Sequence, residues 1–300
     1  MNQFQAWIMA ARPRTLPLAL ASIGMGAFLA ASASQFSWKV LALSALTTVF
    51  LQILSNLAND YGDSIHGADS ADREGPSRAV QAGYISPQAM KKAMILFAVL
   101  SLGSGVWLLL AALSGNQLLL LLFLVLGLVA IFAAITYTSG SNPYGYAGLG
   151  DISVLVFFGL VGVLGSYFLH TGQLSWAYLL PALSCGLFST AVLNVNNIRD
   201  IRTDKAAGKR SIPVRLGRGK AIVYHWLLLG LGLGCSLAYV VIRYESAWQF
   251  LFLITLPLLV KNGRAVEQKD NSSELDPYLK QMALTTLLYV LTFGIGHLIE

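Results

Sequence analysis

Two clusters of carboxylates and amides stand at the ends of apolar runs. In the first, residues 51–54 lead into Ser55-Asn56-Leu57-Ala58-Asn59-Asp60-Tyr61-Gly62-Asp63, and Asp69 and Asp72 follow. In the second, residues 191–193 lead into Asn194-Val195-Asn196-Asn197-Ile198-Arg199-Asp200-Ile201-Arg202-Thr203-Asp204. On a helix, Asn56, Asn59, Asp60 and Asp63 would share one face, as would Asn197, Asp200 and Asp204, because positions three and four apart are neighbours. Carboxylates at helix C-termini oppose the macrodipole, and crowded ones raise one another's pKa. Such crowding makes physical sense when hard cations are bound, and Mg²⁺ takes one or two carboxylates plus substrate phosphates. Asp60, Asp63, Asp69, Asp200 and Asp204 are therefore the candidate metal ligands, for Mg²⁺ or Mn²⁺. Asn56, Asn59 and Asn197 would add neutral oxygens or phosphate donors. If a metal is the main partner of Asp60 and Asp200, removing either charge should leave folding intact.

Cations stand beside both clusters. Arg73 and Arg78 follow the first; Lys205, Lys209 and Arg210 follow the second. Arg suits bidentate phosphate recognition and Lys acts as a mobile point charge, so these five are candidate diphosphate contacts. The loop 136–151 carries no Lys or Arg but holds Tyr137, Tyr144 and Tyr146 among Gly140, Gly145, Gly148 and Gly150. Aromatic faces there could stabilise a carbocation, which a basic group would repel. An interfacial tyrosine belt is the competing reading. The histidines 66, 170, 225 and 297 are scattered, and only His66 falls inside an acidic loop. Cys185 and Cys235 lie in apolar runs, as free thiols acting as small hydrophobes would.

Composition says what positions these groups. Hydrophobic residues make up 56% of the chain and charged ones only 11%, far below the roughly 25% charged of soluble domains. Continuous apolar runs, not alternation, predict an all-α polytopic membrane bundle and exclude a barrel. Nine spans are expected near 16–33, 40–57, 93–113, 117–137, 152–169, 176–195, 221–242, 247–260 and 282–299. With the N-terminus inside, 18 of the 20 Lys and Arg residues fall on the inner side and only Lys39 and Arg243 outside. That asymmetry is the positive-inside signal. It places both acidic clusters at the cytoplasmic face and accounts for the net charge of +6 without nucleic-acid binding. The first fourteen residues read as an interfacial segment and not as a cleavable leader. Residues 1–300 are expected to form one domain. A shift of 140 residues lays Asn56 on Asn196 and Asp60 on Asp200, a weak internal repeat that suggests two related halves facing one cavity.

The pattern Asn59-Asp60-x-x-Asp63 with Asp69, together with Asp200-x-x-x-Asp204, resembles the paired aspartate-rich motifs of the UbiA superfamily of intramembrane prenyltransferases. The resemblance extends over essentially the whole chain. Further stretches are similar to its branch acting on 1,4-dihydroxy-2-naphthoate in menaquinone biosynthesis: Arg12-Pro13-Arg14-Thr15-Leu16-Pro17, residues 54–63, Ile135-Thr136-Tyr137-Thr138, residues 143–151 and residues 192–200. The resemblance implies nine helices around a cavity open to the cytoplasm, in the bacterial inner membrane. It implies transfer of a polyprenyl group, such as octaprenyl, from its diphosphate to 1,4-dihydroxy-2-naphthoate, with carboxylate lost as demethylmenaquinone forms. Metal ions would stabilise the leaving diphosphate. Arg12, Arg14 or Lys205 could hold the acceptor carboxylate, and the prenyl tail would lie along apolar helix faces. Acceptors such as 4-hydroxybenzoate or homogentisate stay open within the superfamily. Outside it, a cation-coupled transporter would place its carboxylates nearer the bilayer midplane. A CDP-alcohol phosphotransferase would compress them into one helical pair.

Overall fold

A computed structural model describes residues 2–66 and 78–299, and among these there is no β-strand. Asp69, Asp72 and Arg73 lie outside the described residues. An interfacial helix α1 (Gln3–Ala11) is closed at its N-terminus by a reciprocal Asn2–Gln5 capping box. It ends at Arg12, whose backbone is left-handed at φ 48°. Pro13 then opens a short 3-10 turn into α2 (Leu16–Ser32). The next three helices start where a side-chain oxygen caps a backbone N–H. They are α3 (Trp38–Ile65, capped by Ser37), α4 (Pro87–Ala112, Ser86) and α5 (Gln117–Thr136, Asn116). Then come α6 (Gly150–Thr171) and α7 (Trp176–Arg199). Two short helices, α8 (Ile201–Ala206) and α9 (Ile212–Leu216), lead to α10 (Arg218–Ile242). A 3-10 segment, Ala247–Thr255, runs into α11 (Leu256–Gln268), and α12 (Ser272–Gly296) closes the bundle.

Eight helical stretches among the described residues are long and apolar enough to cross a membrane. The expected span at 247–260 is composite: its first half is 3-10, and its α-helical half continues through Lys261, Arg264 and Glu267. Neither part alone meets that length and apolarity. The expected single face for Asn197, Asp200 and Asp204 is also modified, because α7 ends at Asp200 (φ −97°, ψ 12°) and Asp204 sits on α8.

The main core joins α2, α6, α7, α10 and α12, while α1, α3 and α4 share a second. A third cluster, including Val40, Leu108, Leu109, Phe168 and Leu169, closes the bundle between α3, α4 and α6. Helix α5 has no buried residue and packs on α3 and α4. Helices α6 and α7 cross at Gly159 and Gly186, where a Cβ on Gly159 would come within 2.8 Å of the Ala182 carbonyl. The middle of α6, Leu155–Leu164, winds as a π-helix, a form that concentrates at functional sites.

The second half is also pinned by buried amides. Asn194 donates to His225 Nδ1 (3.3 Å), which leaves the ring hydrogen on Nε2 to reach Asn262 Oδ1 (3.0 Å). Asn262 donates to Gln281 Oε1 (2.6 Å), and Gln281 to Thr285 Oγ1 (2.9 Å). One directed chain of hydrogen bonds thus links α7, α10, α11 and α12.

Candidate active site

A cavity of about 420 Å³ lies between α2, α3, α4, α5, α6 and α7. Along α3 its wall runs from Ser44 to Asp63, nineteen residue steps or about 28 Å at 1.5 Å per step. One end is polar, with Asp63, Arg78, Lys209, Asn59 and Asn197. The remainder is mostly apolar, with Phe123, Phe157, Phe158, Val161 and Leu169 in its wall. At its far end, Leu108, Leu109 and Leu169 belong to the third core cluster, and Phe123 stacks on Phe168 with centroids 5.1 Å apart.

Two buried ion pairs form the polar end. Arg78 Nη2 lies 2.6 Å from Asp63 Oδ2, and the Tyr146 hydroxyl donates to Asp63 Oδ1 at 3.0 Å. Lys209 Nζ lies 3.3 Å from Asp204 Oδ1, and Ser211 Oγ reaches the other oxygen at 3.5 Å. Burial works against charge on Lys209, but Asp204 and Asp63 outweigh it and raise its pKa, so the ammonium is retained. Burial raises the pKa of Asp204, with Asp200 and Asp63 adding to the effect and Lys209 opposing it. The tyrosines stay protonated: burial raises both Tyr137 and Tyr146, and for Tyr146 the adjacent Asp63 reinforces the shift.

The other two motif aspartates are engaged differently. Asp60 turns both oxygens to backbone amides, Ala79 N at 3.1 Å and Val80 N at 3.2 Å, and so anchors the segment that begins with Arg78. Asp200 is held by Arg199 Nε and Nη2, both at 2.8 Å. Arg199 Nη1 also reaches Asp276 at 2.6 Å, and Asp276 receives Arg14 Nη1 at 3.0 Å. The premise of that expectation, a metal as the main partner of Asp60 and Asp200, does not match the structure: each carboxylate has buried protein partners, so its neutralisation should cost stability. The sequence does not single out Arg199 or Asp276, which hold Asp200 and Arg14 without lining the cavity themselves. Arg199 adjoins Asp200 in the motif, but no local pattern ties Asp276 to residues 262 and 77 positions away.

The amides divide as well. Asn56 donates to the Ala11 carbonyl and Thr15 Oγ1, both at 2.9 Å, tying α3 to the Arg12–Thr15 corner. Asn59 accepts from Thr138 Oγ1 at 3.1 Å. Asn197 has a buried Oδ1 with no hydrogen-bond partner among the described residues, and it lines the cavity. Lys205 and Arg210 are exposed and are not among the residues lining the cavity, although the Arg210 backbone N–H donates to the Tyr146 carbonyl (2.9 Å).

Tyr137 and Tyr144 line the cavity, ring against ring at 5.3 Å. Gly145 and Gly150 are required here, because a Cβ on either would come within 2.9 Å of Tyr137. Tyr146 is not among the lining residues; Lys209 stands 5.9 Å from its ring centroid and the His66 ring 5.4 Å away. The loop itself is free of basic residues, as the sequence shows, yet the fold brings Lys209 onto one of its rings. His66 also meets the Gly140 carbonyl at 3.0 Å.

No group of three or more His, Cys, Asp or Glu side chains among the described residues is arranged to hold a metal by itself. The donor set still fits Mg²⁺, which keeps waters and takes few protein carboxylates when phosphates supply the rest. Asp63 offers hard oxygens at the cavity wall, where Asn197 with its orphaned Oδ1 also stands, and Asp204, not itself among the lining residues, offers them beside Lys209.

A model of the UbiA prenyltransferase family matches residues 19–292. The chain is 47% identical over 300 residues to the 1,4-dihydroxy-2-naphthoate octaprenyltransferase of Haemophilus influenzae, covering 99% of this chain and 97% of that one. It is also 47% identical to the Escherichia coli enzyme of that name, covering 99% and 96%. Among solved structures, a UbiA homolog from Archaeoglobus fulgidus bound to DMAPP and Mg²⁺ superposes with a TM-score of 0.67 at 16% identity, covering 98% and 100%. With the family model spanning nearly the whole chain and close relatives matching end to end, this protein belongs to the UbiA prenyltransferase family.

Proposed function

We propose that the protein transfers a polyprenyl group, octaprenyl in the relatives' names, from its diphosphate to 1,4-dihydroxy-2-naphthoate. Over the reaction the prenyl C1–oxygen bond breaks with its electron pair staying on diphosphate, and a bond forms from C1 to the naphthalene ring. Carbon dioxide leaves, its electron pair returning to the ring, so the products are demethylmenaquinol, diphosphate and CO₂. The observation that carries this reading is one cavity with buried carboxylate–cation pairs at one end and a long apolar wall beyond. The acceptor follows from full-length relatives at 47% identity.

Arg78 and Lys209 would hold diphosphate oxygens, each already charged and buried beside a carboxylate. Asp63 and Asp204, with Asn59 and Asn197, would hold Mg²⁺, which when bound stabilises charge developing on the leaving diphosphate. Asp60 and Asp200 support them: one anchors the Arg78 segment, the other the end of α7. Tyr137 and Tyr144 present aromatic rings where the allylic cation forms, and Tyr146 orients Asp63. The apolar wall takes the prenyl tail and excludes water from the cation. The chain would act as one unit, multi-pass in a bacterial inner membrane with its N-terminus cytoplasmic, as the 18-to-2 split of basic residues favours.

The test is turnover by the purified full-length protein in lipid vesicles with Mg²⁺, octaprenyl diphosphate and 1,4-dihydroxy-2-naphthoate under reducing conditions. Equimolar prenylated diol and diphosphate are expected. Equal turnover of 4-hydroxybenzoate would overturn the acceptor assignment, and absence of diphosphate release with any aromatic acceptor would overturn the reaction.

A further inference from the structure

Four cations line the cavity, Arg12, Arg14, Arg78 and Lys209, and the fold sorts them into two groups. Arg12, Arg78 and Lys209 all act electrostatically on Asp63. Arg14 is turned away from that set, to Asp276 on α12. Its Nη1 donates to both Asp276 oxygens, at 3.1 and 3.0 Å. Among the described residues Arg14 makes no other polar contact, so its Nη2 and Nε edge is uncommitted while the side chain borders the cavity. The Arg14 side chain is about two-thirds buried, with 31% of its surface exposed.

We propose that Arg14, steadied by Asp276, is the anchor for the carboxylate of the aromatic acceptor, a role that rests on the prenyl-transfer reading. The diphosphate and the acceptor are both anions, and a site that separates them must offer two distinct cationic poles. Arg78 and Lys209 form the pole beside the motif aspartates. Arg14 forms the other, with a planar fork that matches a carboxylate. Lys205 is exposed and outside the cavity lining, and Arg12 belongs electrostatically with Asp63, so Arg14 is left of the three candidates that the sequence offered. Asp276 is a positioning residue: it fixes one nitrogen of Arg14 and shares Arg199, whose other two nitrogens grip Asp200. The acceptor pole is thereby registered against the second aspartate motif through one continuous ion-pair chain.

The experiment compares two acceptors, 1,4-dihydroxy-2-naphthoate and 1,4-dihydroxynaphthalene, which lacks the carboxylate and gives the same prenylated diol. The measured quantity is the ratio of their kcat/KM values in vesicles at saturating donor and Mg²⁺, for the wild type and for Arg14→Gln, Arg14→Lys, Arg12→Gln and Asp276→Asn. In Arg14→Gln the ratio should fall roughly 10- to 100-fold, through KM for the acid, because a charge-assisted bond to a desolvated carboxylate is lost. Donor KM should not move. Arg14→Lys should fall less, Asp276→Asn should fall in between, and Arg12→Gln should leave the ratio unchanged. A ratio preserved in Arg14→Gln, or one that collapses in Arg12→Gln instead, overturns the anchor. If Arg14→Gln fails to fold, Arg14→Lys decides: a ratio identical to wild type refutes the role of the fork. Failure of the wild type to prenylate either acceptor would refute the prenyl-transfer reading itself, a different result from an unchanged ratio.

Discussion

Asp60→Asn separates a ligand from an anchor. In the folded protein each Asp60 oxygen accepts one backbone N–H, from Ala79 and Val80, and the residue is only 2% exposed. Asparagine keeps one acceptor and turns an amide N–H₂ toward the second backbone donor. One charge-assisted hydrogen bond is lost and buried donors are left facing each other. At about 1.5–3 kcal/mol for such a bond, and about 1–3 kcal/mol for a stranded buried group, a loss near 3 kcal/mol is expected. In domains of 150–250 residues that corresponds to a fall in unfolding midpoint of roughly 6–12 °C, and the lower end suits this larger chain. Turnover should fall too, because the loosened segment carries Arg78. The half-saturating Mg²⁺ concentration should stay close to wild type, whereas in Asp63→Asn it should rise several-fold. Thermal unfolding in detergent and a Mg²⁺ titration of turnover check both halves. An Asp60→Asn protein with an unchanged midpoint and a raised Mg²⁺ requirement would refute the anchor and make Asp60 a ligand.

Gly127 and Gly165 line the cavity, and a Cβ at either would meet nothing within 4 Å. Gly127→Leu and Gly165→Leu should therefore fold yet disfavour longer prenyl donors, read as a shift in relative kcat/KM from octaprenyl toward geranylgeranyl diphosphate; an unshifted ratio in both would take the tail out of this channel. Tyr137→Leu or Tyr144→Leu should lower turnover about tenfold or more with little change in donor affinity, since a desolvated cation–π contact is worth about 2 kcal/mol. Parallel losses of binding and turnover in both would make the loop a structural element. For orientation, cysteines at the exposed positions Lys205 and Gln173 should react with a membrane-impermeant thiol reagent from opposite sides, Lys205→Cys only from the cytoplasm. Labelling of both from one side would contradict the charge-based topology.

Much of the architecture was legible because burial in lipid writes it in long apolar runs, and because side-chain caps at Ser37, Ser86 and Asn116 mark helix starts. The composite span 247–268 was harder, since its second half carries charge that a window of apolar residues does not capture. Within the site, residue type and spacing singled out Asp63, Arg78, Asp204 and Lys209. They could not distinguish a carboxylate bound to backbone amides from one facing the cavity, and Asp60 and Asp63 look alike at that level. What separates them is the return of residues 78–80 to α3. The Arg14–Asp276–Arg199–Asp200 chain was beyond reach for the same reason, because its members meet only when the first and last long helices pack together.

The amide chain through Asn194, His225, Asn262 and Gln281 bears on how the molecule is assembled. Its members sit on four helices that leave the ribosome one after another, and α12 arrives last. Until then Asn262 lacks two acceptors, the Tyr278 carbonyl and Gln281 Oε1, which lie 2.9 and 2.6 Å away in the finished fold. A buried polar side chain without partners is costly, and Asn262 is fully buried. The second half thus has reason to stay loosely assembled, open to rearrangement and to quality-control proteases, until the C-terminal helix docks. Arrival of α12 and locking of the second aspartate motif would then coincide, so that a nascent chain cut short before α12 never displays a finished site.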